Sequence, residues 1–584
     1  MNKIKFLIFY LKTSLKSIIF SFFCSIIFVG CTLLIPLFCG KCVDTISNAF
    51  KFGVVETNFY YNEVKYLVII AALVSFVVLF QFLYEVLLNI TCEEMVYQIR
   101  CDLFKKLDNV QVKYIDKHMH GDLVSRCVND VENISTGFLS GFKQLYQGII
   151  TILFTIGFMF YQNWLLGLII LILTPLSFLI SYTVAKKSNK YFKKQSILVG
   201  SINSLALENF ENIDIVKSFN YSEKSFEKFN DINSQLNSAG QKAQFSSSFT
   251  NPSTRLINNS IYAVVGICGA LLVAFGSTIN IGATLTVGGV TAFLQYANQF
   301  AKPLNEISSC IPEIQTCFQS INRILEVLNE KNEIDDGKII FNDNFDKLEL
   351  HNIAFGYDDS KLIYKNLSLN ISNNQKIALV GPTGCGKTTV INLILRFYDP
   401  QKGQILLNKV NINDFTKESY RNIFGMVLQE SWIFKGSVFQ NIAYDKKDAT
   451  LEEVIEVAKK ARCYDFIMKL SDGFDTVIDN DSSISEGQKQ LISIARVMLS
   501  NKKILILDEA TSNVDTRTEK KIGEALDELM KNKTSIVIAH RLSTIMSSDQ
   551  IFVIKDGEII ESGTHKQLLD KKGFYFDLFT SQYK

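Results

Sequence analysis

At 584 residues, with 48% hydrophobic residues and 60 Lys and Arg against 58 Asp and Glu, the chain is too long for one core and, at a net charge of +2, too evenly balanced for a nucleic-acid binder. The balance conceals a division, because charge is sparse before about residue 330 and dense after it. That pattern excludes a wholly soluble protein and predicts a membrane half followed by a soluble half.

Four uncharged runs fill the first half. Ser17–Gly40 and Tyr66–Tyr84 each match the roughly 20 residues that a helix needs to cross a hydrocarbon core. Gln144–Ala185 and Leu256–Ala301 are about twice as long, each with a polar break suited to a hairpin, at Gln162-Asn163 and at Gly276–Gly282. Six spans are therefore expected. No cleavable signal peptide is evident, since the first run is long and lacks a small-residue cleavage site. Lys3, Lys5, Lys12 and Lys16 precede the first span, and many lysines lie between Lys186 and Lys242, against Lys41, Lys51 and Lys65 on the opposite side. The positive-inside rule then puts the N-terminus, both long connections and the C-terminal half in the cytoplasm of a multi-pass protein of the cytoplasmic membrane. The 12 cysteines show no metal-ligand spacing; Cys39 and Cys42 form a CxxC at the outer end of span one, with no redox fold around it.

The two long connections, Thr91–Gly137 and Lys186–Thr254, show helical periodicity with alternating charge, as in Phe192, Leu198, Ile202, Leu205 and Phe210 among polar neighbours. Arms of about 20–30 residues would carry the helices about 30–45 Å beyond the bilayer. Short turns near Val112–His118 and Phe210–Asp214 are the expected points of contact with the soluble half. The domain reading is a membrane domain over 1–330, a polar linker over 331–346 and an α/β domain over 347–584, where strands and helices alternate.

Three motifs carry chemistry. Gly381-Pro382-Thr383-Gly384-Cys385-Gly386-Lys387-Thr388, with Thr389 next, follows a strand and opens an apolar helix. This is the setting in which glycines turn backbone N–H groups onto phosphate oxygens. Lys387 is expected on the β- and γ-phosphates and Thr388 on Mg²⁺. Ile504-Leu-Ile-Leu reads as a buried strand that delivers Asp508 and Glu509 at its C-terminal end, Asp508 to hold Mg²⁺ and Glu509 as general base for water. Between them stands Ser485-Glu486-Gly487-Gln488.

In that order these motifs resemble the nucleotide-binding domain of ABC transporters, and nearly the whole chain is similar to an exporter-type half-transporter of the bacterial multidrug and lipid-exporting kind. The membrane half adds Tyr114-Ile115-Asp116, Gly121–Arg126, Asn129-Asp130-Val131, Glu211-Asn212-Ile213, Val216–Phe219, Thr286-Val287-Gly288 and Lys302-Pro303. The fold implied is an α-helical polytopic membrane domain, six transmembrane helices with long cytoplasmic extensions, plus an α/β P-loop ABC ATPase domain. By resemblance Tyr357 stacks on adenine, Gln429 contacts Mg²⁺ and water, His540 touches the γ-phosphate, and Asp515 links the two ATP sites. Ser485 and Gly487, with Glu486 and Gln488, match the signature that closes in trans over a second domain's ATP. The resemblance thus implies an obligate dimer using ATP and Mg²⁺.

Two departures stand out. The signature has Glu486 where the family's commonest form has glycine, and Asp479-Asn480-Asp481-Ser482 lacks the usual Glu and Gly. Both suit the half of a heterodimer with a sister half-transporter, slightly favoured here over a homodimer. In the spans, Glu85, Lys143, Arg255 and Lys302 fall roughly 25–35 Å from the outer ends, as inner-leaflet anchors or as a charged entrance for amphipathic or anionic molecules. Gln295, Asn298 and Gln299 lie deeper and are expected to face the cavity. The expected function is ATP-driven export of small amphipathic, drug- or lipid-like compounds by alternating access, in contact with membrane lipid and not with nucleic acid. The alternatives are an importer on the same fold and an ATPase-gated sensor.

Overall fold

Helix and the closed barrel are the two conformations in which a backbone satisfies its own polar groups without water, and the uncharged runs of the first half take the former over nearly all of their described length. The computed structural model describes residues 3–52, 59–279, 285–342, 344–358, 361–428, 431–479, 484–508, 515–538 and 542–583. The chain divides into two units, Met1–Asn109 with His118–Lys331, and Val110–Lys117 with Asn332–Lys584.

Among the described residues of the first unit, six helices of 30 or more residues follow one another: Leu15–Phe52, Phe59–Asn109, Val131–Gln162, Trp164–Glu211, Thr250–Ile279 and Val287–Asn329. Among the described residues, four stretches are long and apolar enough to cross a membrane: Lys3–Phe50, Phe59–Asn109, His120–Gln162 and Arg255–Phe275. The fourth long helix has a shorter apolar stretch, Trp164–Pro175. The sixth is diluted by amides such as Gln295, Asn298 and Gln299. The expected hairpin break is sharp at Asn163, which is extended (φ −162°, ψ 112°) and accepts the N–H groups of Leu165 and Leu166 at 3.1 Å as an N-cap. The second break falls partly on 280–284, outside the described residues; beyond it Thr286 caps the sixth helix through the Gly289 N–H at 3.0 Å.

The second and fourth helices, of 51 and 48 residues, are about 77 and 72 Å long, more than twice a hydrocarbon core, so both continue as arms. The fourth gives way at Asn212 to a short helix, Ile213–Ser218, and the chain returns through Ser222–Ser248. On the third helix's side, one turn of π-helix, Arg126–Asp130, sits in a charge network. Buried Arg126 pairs with Asp122 at 2.9 Å and with Glu326 at 3.1 Å, while Arg323 pairs with Asp130 at 3.3 Å and with Asp122. These contacts fasten the third helix's approach to the end of the sixth.

In the second unit, a six-stranded sheet runs Glu558–Gly563, Gln550–Lys555, Lys376–Val380, Thr534–Ile538, Ile504–Asp508, Phe424–Val427; the last five are mutually parallel and the first is an antiparallel edge. Its strands are near-continuous apolar runs because both faces are covered. With a side-chain period of two, Leu505 and Leu507 join Ala378, Val380 and Val537 in one core, while Ile504 and Ile506 join Ile377, Leu379, Ile536 and Ile538 in the other. A four-stranded antiparallel sheet, in the order Tyr364–Ser372, Lys347–Phe355, Lys402–Leu407, Val410–Asn411, packs into the second core.

The stretch read as a linker is tied down within this unit. Glu333 pairs with Lys417 at 2.9 Å and with Arg421 at 2.6 Å, and Phe341 and Phe345 are buried. The unit also takes in the short helix Val112–Lys117, whose Asp116 accepts a hydrogen bond from the Tyr398 hydroxyl at 2.5 Å.

Candidate functional site

The strand Lys376–Val380 ends at the Gly-rich loop, and the loop ends at the helix Lys387–Ile394. Gly384 and Gly386 have φ of +81° and +106°, where a side chain would be strained. A Cβ at Gly386 would also strike the Tyr364 hydroxyl, which donates to the Gly386 carbonyl at 2.6 Å. Backbone N–H groups at this turn and the first turn of the helix make a cradle for an anion. Lys387 is buried at the helix start, and its Nζ donates to the Gly381 and Pro382 carbonyls at 2.8 and 2.9 Å, holding the ammonium inside the loop. Pro382, Thr383, Gly384 and Thr388 are exposed, whereas Cys385 is half-buried and Thr389 buried.

Tyr357 stands beside this loop, its hydroxyl 3.3 Å from Thr389 Oγ1 and accepting from Asn392 Nδ2 at 3.1 Å. Its ring meets those of Phe355 and Tyr398 edge to face at 5.2 and 5.0 Å. The half-exposed ring is thus fixed from three sides.

Sheet register places Asp508. Ile538 is the pairing partner of both Leu379 and Asp508, so Asp508 is level with the last turns of the loop strand and two strand spacings away, roughly 10 Å. Ligands of open parallel sheets bind outside these carboxyl ends. The Thr388 hydroxyl and Asp508 carboxylate are hard oxygen donors at that edge, a donor set that fits Mg²⁺. Glu509, Gln429 and His540 lie outside the described residues.

Ser485 opens a 15-residue helix, Glu486–Ser500, through a capping box: its Oγ accepts the Gln488 N–H at 3.4 Å and Gln488 Oε1 accepts the Ser485 N–H at 2.9 Å. Gly487 is buried and Ser485 exposed. Glu486 is exposed too, and its carboxylate lies along the helix against Lys489 Nζ at 2.7 Å. Sequence reading marked Glu486 as a departure and missed Lys489, although the i, i+3 spacing was there to find. Of the neighbouring departure, Asp479 is described and 480–483 are not. Asp515 caps the helix Thr516–Met530, accepting the Thr518 N–H at 3.0 Å, which holds its carboxyl below the usual range.

In the first unit, a cavity of about 590 Å³ is lined by the first, second, third and sixth long helices. Glu85 and Lys143, read separately from sequence, are a pair at 2.7 Å on its wall, and Lys302 also reaches it. Of the three amides expected there, Gln299 lines it, whereas Gln295 and Asn298 are exposed in the single chain and Arg255 is exposed elsewhere. Cys39 and Cys42 are free thiols within the first long helix.

Comparison with known proteins gives two family matches, "ABC transporter transmembrane region" over residues 18–304 and "ABC transporter" over 364–512. An uncharacterized ABC transporter ATP-binding protein of Bacillus subtilis is 38% identical over 84% of this chain and 80% of its own. A fatty acid ABC transporter ATP-binding/permease protein of Mycobacterium bovis is 35% identical over 84% of this chain and 77% of its own. A Staphylococcus aureus protein named as a candidate multidrug export ATP-binding/permease protein is 35% identical over 95% of this chain and 96% of its own.

Proposed function

The chain belongs to the ABC transporter family, as an exporter-type half-transporter that couples ATP hydrolysis to movement across a membrane, and from that premise we propose that it exports amphipathic, hydrophobic compounds across the cytoplasmic membrane by alternating access. The observation that carries the ATPase reading is the shared register of Leu379 and Asp508 on Ile538, which sets a carboxylate level with the end of the glycine loop's own strand. The direction and cargo class draw support from relatives named for multidrug export and for fatty acids.

In this reading the loop 381–389 cradles the phosphates, Lys387 balances their charge and Tyr357 stacks on adenine. Thr388, Asp508 and Gln429 are the residues that would hold Mg²⁺, which supplies charge neutralisation between the phosphates. Glu509 draws the proton from the attacking water, and His540 holds the γ-phosphate's geometry. Ser485 and Gly487 close over the ATP of a second cassette, and Asp515 joins the two sites. A half-transporter of this architecture dimerises. We favour a sister half-transporter over a second copy, because Glu486 departs from the usual signature. The exposed apolar side chains Phe210, Ile215 and Phe219 around the turn helix suit such a partner.

Mg-ATPase activity in lipid, of the chain alone and with any subunit that co-purifies, tests this against Glu509→Gln as blank. Activity above the blank that appears only with a co-purified sister supports the full reading, and activity of the chain alone would replace the sister by a second copy. No activity above the blank in either preparation would overturn the hydrolytic assignment.

A further inference from the structure

The cavity of about 590 Å³ in the first unit has an unusual balance of charge. Its wall carries two acids and two bases: Glu85 paired with Lys143 at 2.7 Å, and Lys302 paired loosely with Glu306 at 3.8 Å one helical turn on. The net charge of the lining is zero. Two further groups point to hydrogen-bond donors: the amide oxygens of Gln144 and Gln299, both lining residues, are buried and accept no hydrogen bond within the chain. Phe28, Val29, Leu33 and Leu88 add apolar surface to the lining.

These features select among ligands. A cation that drew Glu85 to itself would take Lys143's partner from it, and an anion on Lys143 would do the same to Glu85. Each side chain is about two-fifths exposed, so breaking the pair from one side costs only modestly, but a ligand bearing both charges compensates both partners and a singly charged one does not. The orphaned amide oxygens add a demand for N–H or O–H donors, which a quaternary ammonium lacks and a protonated amine has. The apolar part of the lining suits an acyl chain.

We propose that this cavity receives an amphiphile whose headgroup combines a protonated amine with an anionic group, the amine on Glu85 and the amide oxygens of Gln144 and Gln299, the anion on Lys143 and Lys302. That the bound amphiphile is cargo rests on the export reading; that it binds here does not.

The test is direct binding, without ATP, to the full chain with any co-purified subunit, in nanodiscs of phosphatidylglycerol so that no amine-bearing lipid competes, with empty nanodiscs subtracted. Labelled lysophosphatidylethanolamine is compared with lysophosphatidylcholine, lysophosphatidic acid and dodecylamine. The first is expected to bind at least tenfold tighter than each of the others. Lys143→Gln and Glu85→Gln should each erase that preference, the exchanged pair Glu85→Lys with Lys143→Glu should keep it, and Gln299→Leu should narrow the gap between ethanolamine and choline headgroups. Displacement by two-chain phosphatidylethanolamine assigns the headgroup to membrane lipid, and failure to displace assigns it to a free single-chain amphiphile; either supports the proposal. Equal binding of the ethanolamine and choline probes, tighter binding of a singly charged probe, or an unchanged ranking in folded Lys143→Gln would overturn it. The headgroup ranking without export would leave the site and remove its role in transport; export without the ranking would do the reverse.

Discussion

The Tyr398 hydroxyl donates to the Asp116 carboxylate at 2.5 Å. Asp116 lies on the short helix between the second and third long helices, and the Tyr398 ring packs edge to face on Tyr357, the ring assigned to adenine. Burial, reinforced by the adjoining Asp116 carboxylate, keeps the Tyr398 hydroxyl protonated far above the ordinary phenol range, so it donates at every physiological pH. A displacement of the Tyr357 ring by nucleotide therefore has a short path to the helix that carries Asp116.

Tyr398→Phe and Asp116→Asn should separate hydrolysis from transport. Basal ATPase is expected within about threefold of wild type, since neither group touches phosphate, while flux per ATP falls by about tenfold. The two measurements on the same proteoliposomes check this; parallel loss of both would place Tyr398 in nucleotide binding itself.

At the signature, the pairing of Glu486 with Lys489 ties a carboxylate of the helix's first turn to a cation one turn on. Lys489→Gln should release that carboxylate toward incoming phosphate and raise the KM for ATP by about three- to tenfold. Glu486→Gly in the same background should recover most of the loss. A double-mutant cycle on KM reads the coupling, and additive effects would show that the pair is incidental.

Glu333 links the stretch before the α/β domain to Lys417 and Arg421. Burial raises its pKa, but the hydrogen bonds from Arg421 and Lys417 outweigh that, and the carboxyl is held below its usual range. A carboxyl lowered on folding stabilises above its unfolded pKa and loses that contribution as pH falls through the folded value. Glu333→Gln should therefore lower the unfolding midpoint at pH 7, by the equivalent of about 1 kcal/mol. The difference from wild type should shrink as the pH drops below about 4, as thermal melts across pH would record.

Arg126 is buried against Asp122 and Glu326 beside the single π turn of this arm. Arg126→Ala takes one partner from Asp122, which keeps Arg323, and the ion pair from the largely exposed Glu326, at a cost of about 1–2 kcal/mol. The thermal midpoint should fall markedly, and Arg126→Lys should restore only part of it because a point charge replaces a fork. Wild-type stability in Arg126→Ala would show the network to be dispensable.

Much of the molecule was legible in the sequence for simple physical reasons. The run Ile504–Leu507 announced a strand covered on both faces, and the structure divides its side chains alternately between two cores. Asn163 read as a hairpin break because an amide between apolar runs caps better than it crosses, and it caps the fourth helix. What escaped were pairings that depend on how helices pack. Glu85 and Lys143 are 58 residues apart, and neither periodicity nor charge counting joins them. Asp116 and Tyr398 are 282 residues apart. Depth alone suggested that Gln295, Asn298 and Gln299 share an environment, yet Asn298 is turned by about 100° from Gln299, Gln295 lies about 6 Å further along the helix, and of the three only Gln299 reaches the cavity wall.

The central claim, that hydrolysis at this cassette drives an amphiphile outward, is tested most directly by ATP-dependent accumulation of a labelled amphiphile in inverted membrane vesicles carrying the chain and any partner it recruits. Wild-type vesicles should accumulate the label with ATP, and vesicles with Glu509→Gln should not. ATP-dependent accumulation in right-side-out vesicles instead, or equal accumulation with Glu509→Gln, would contradict it.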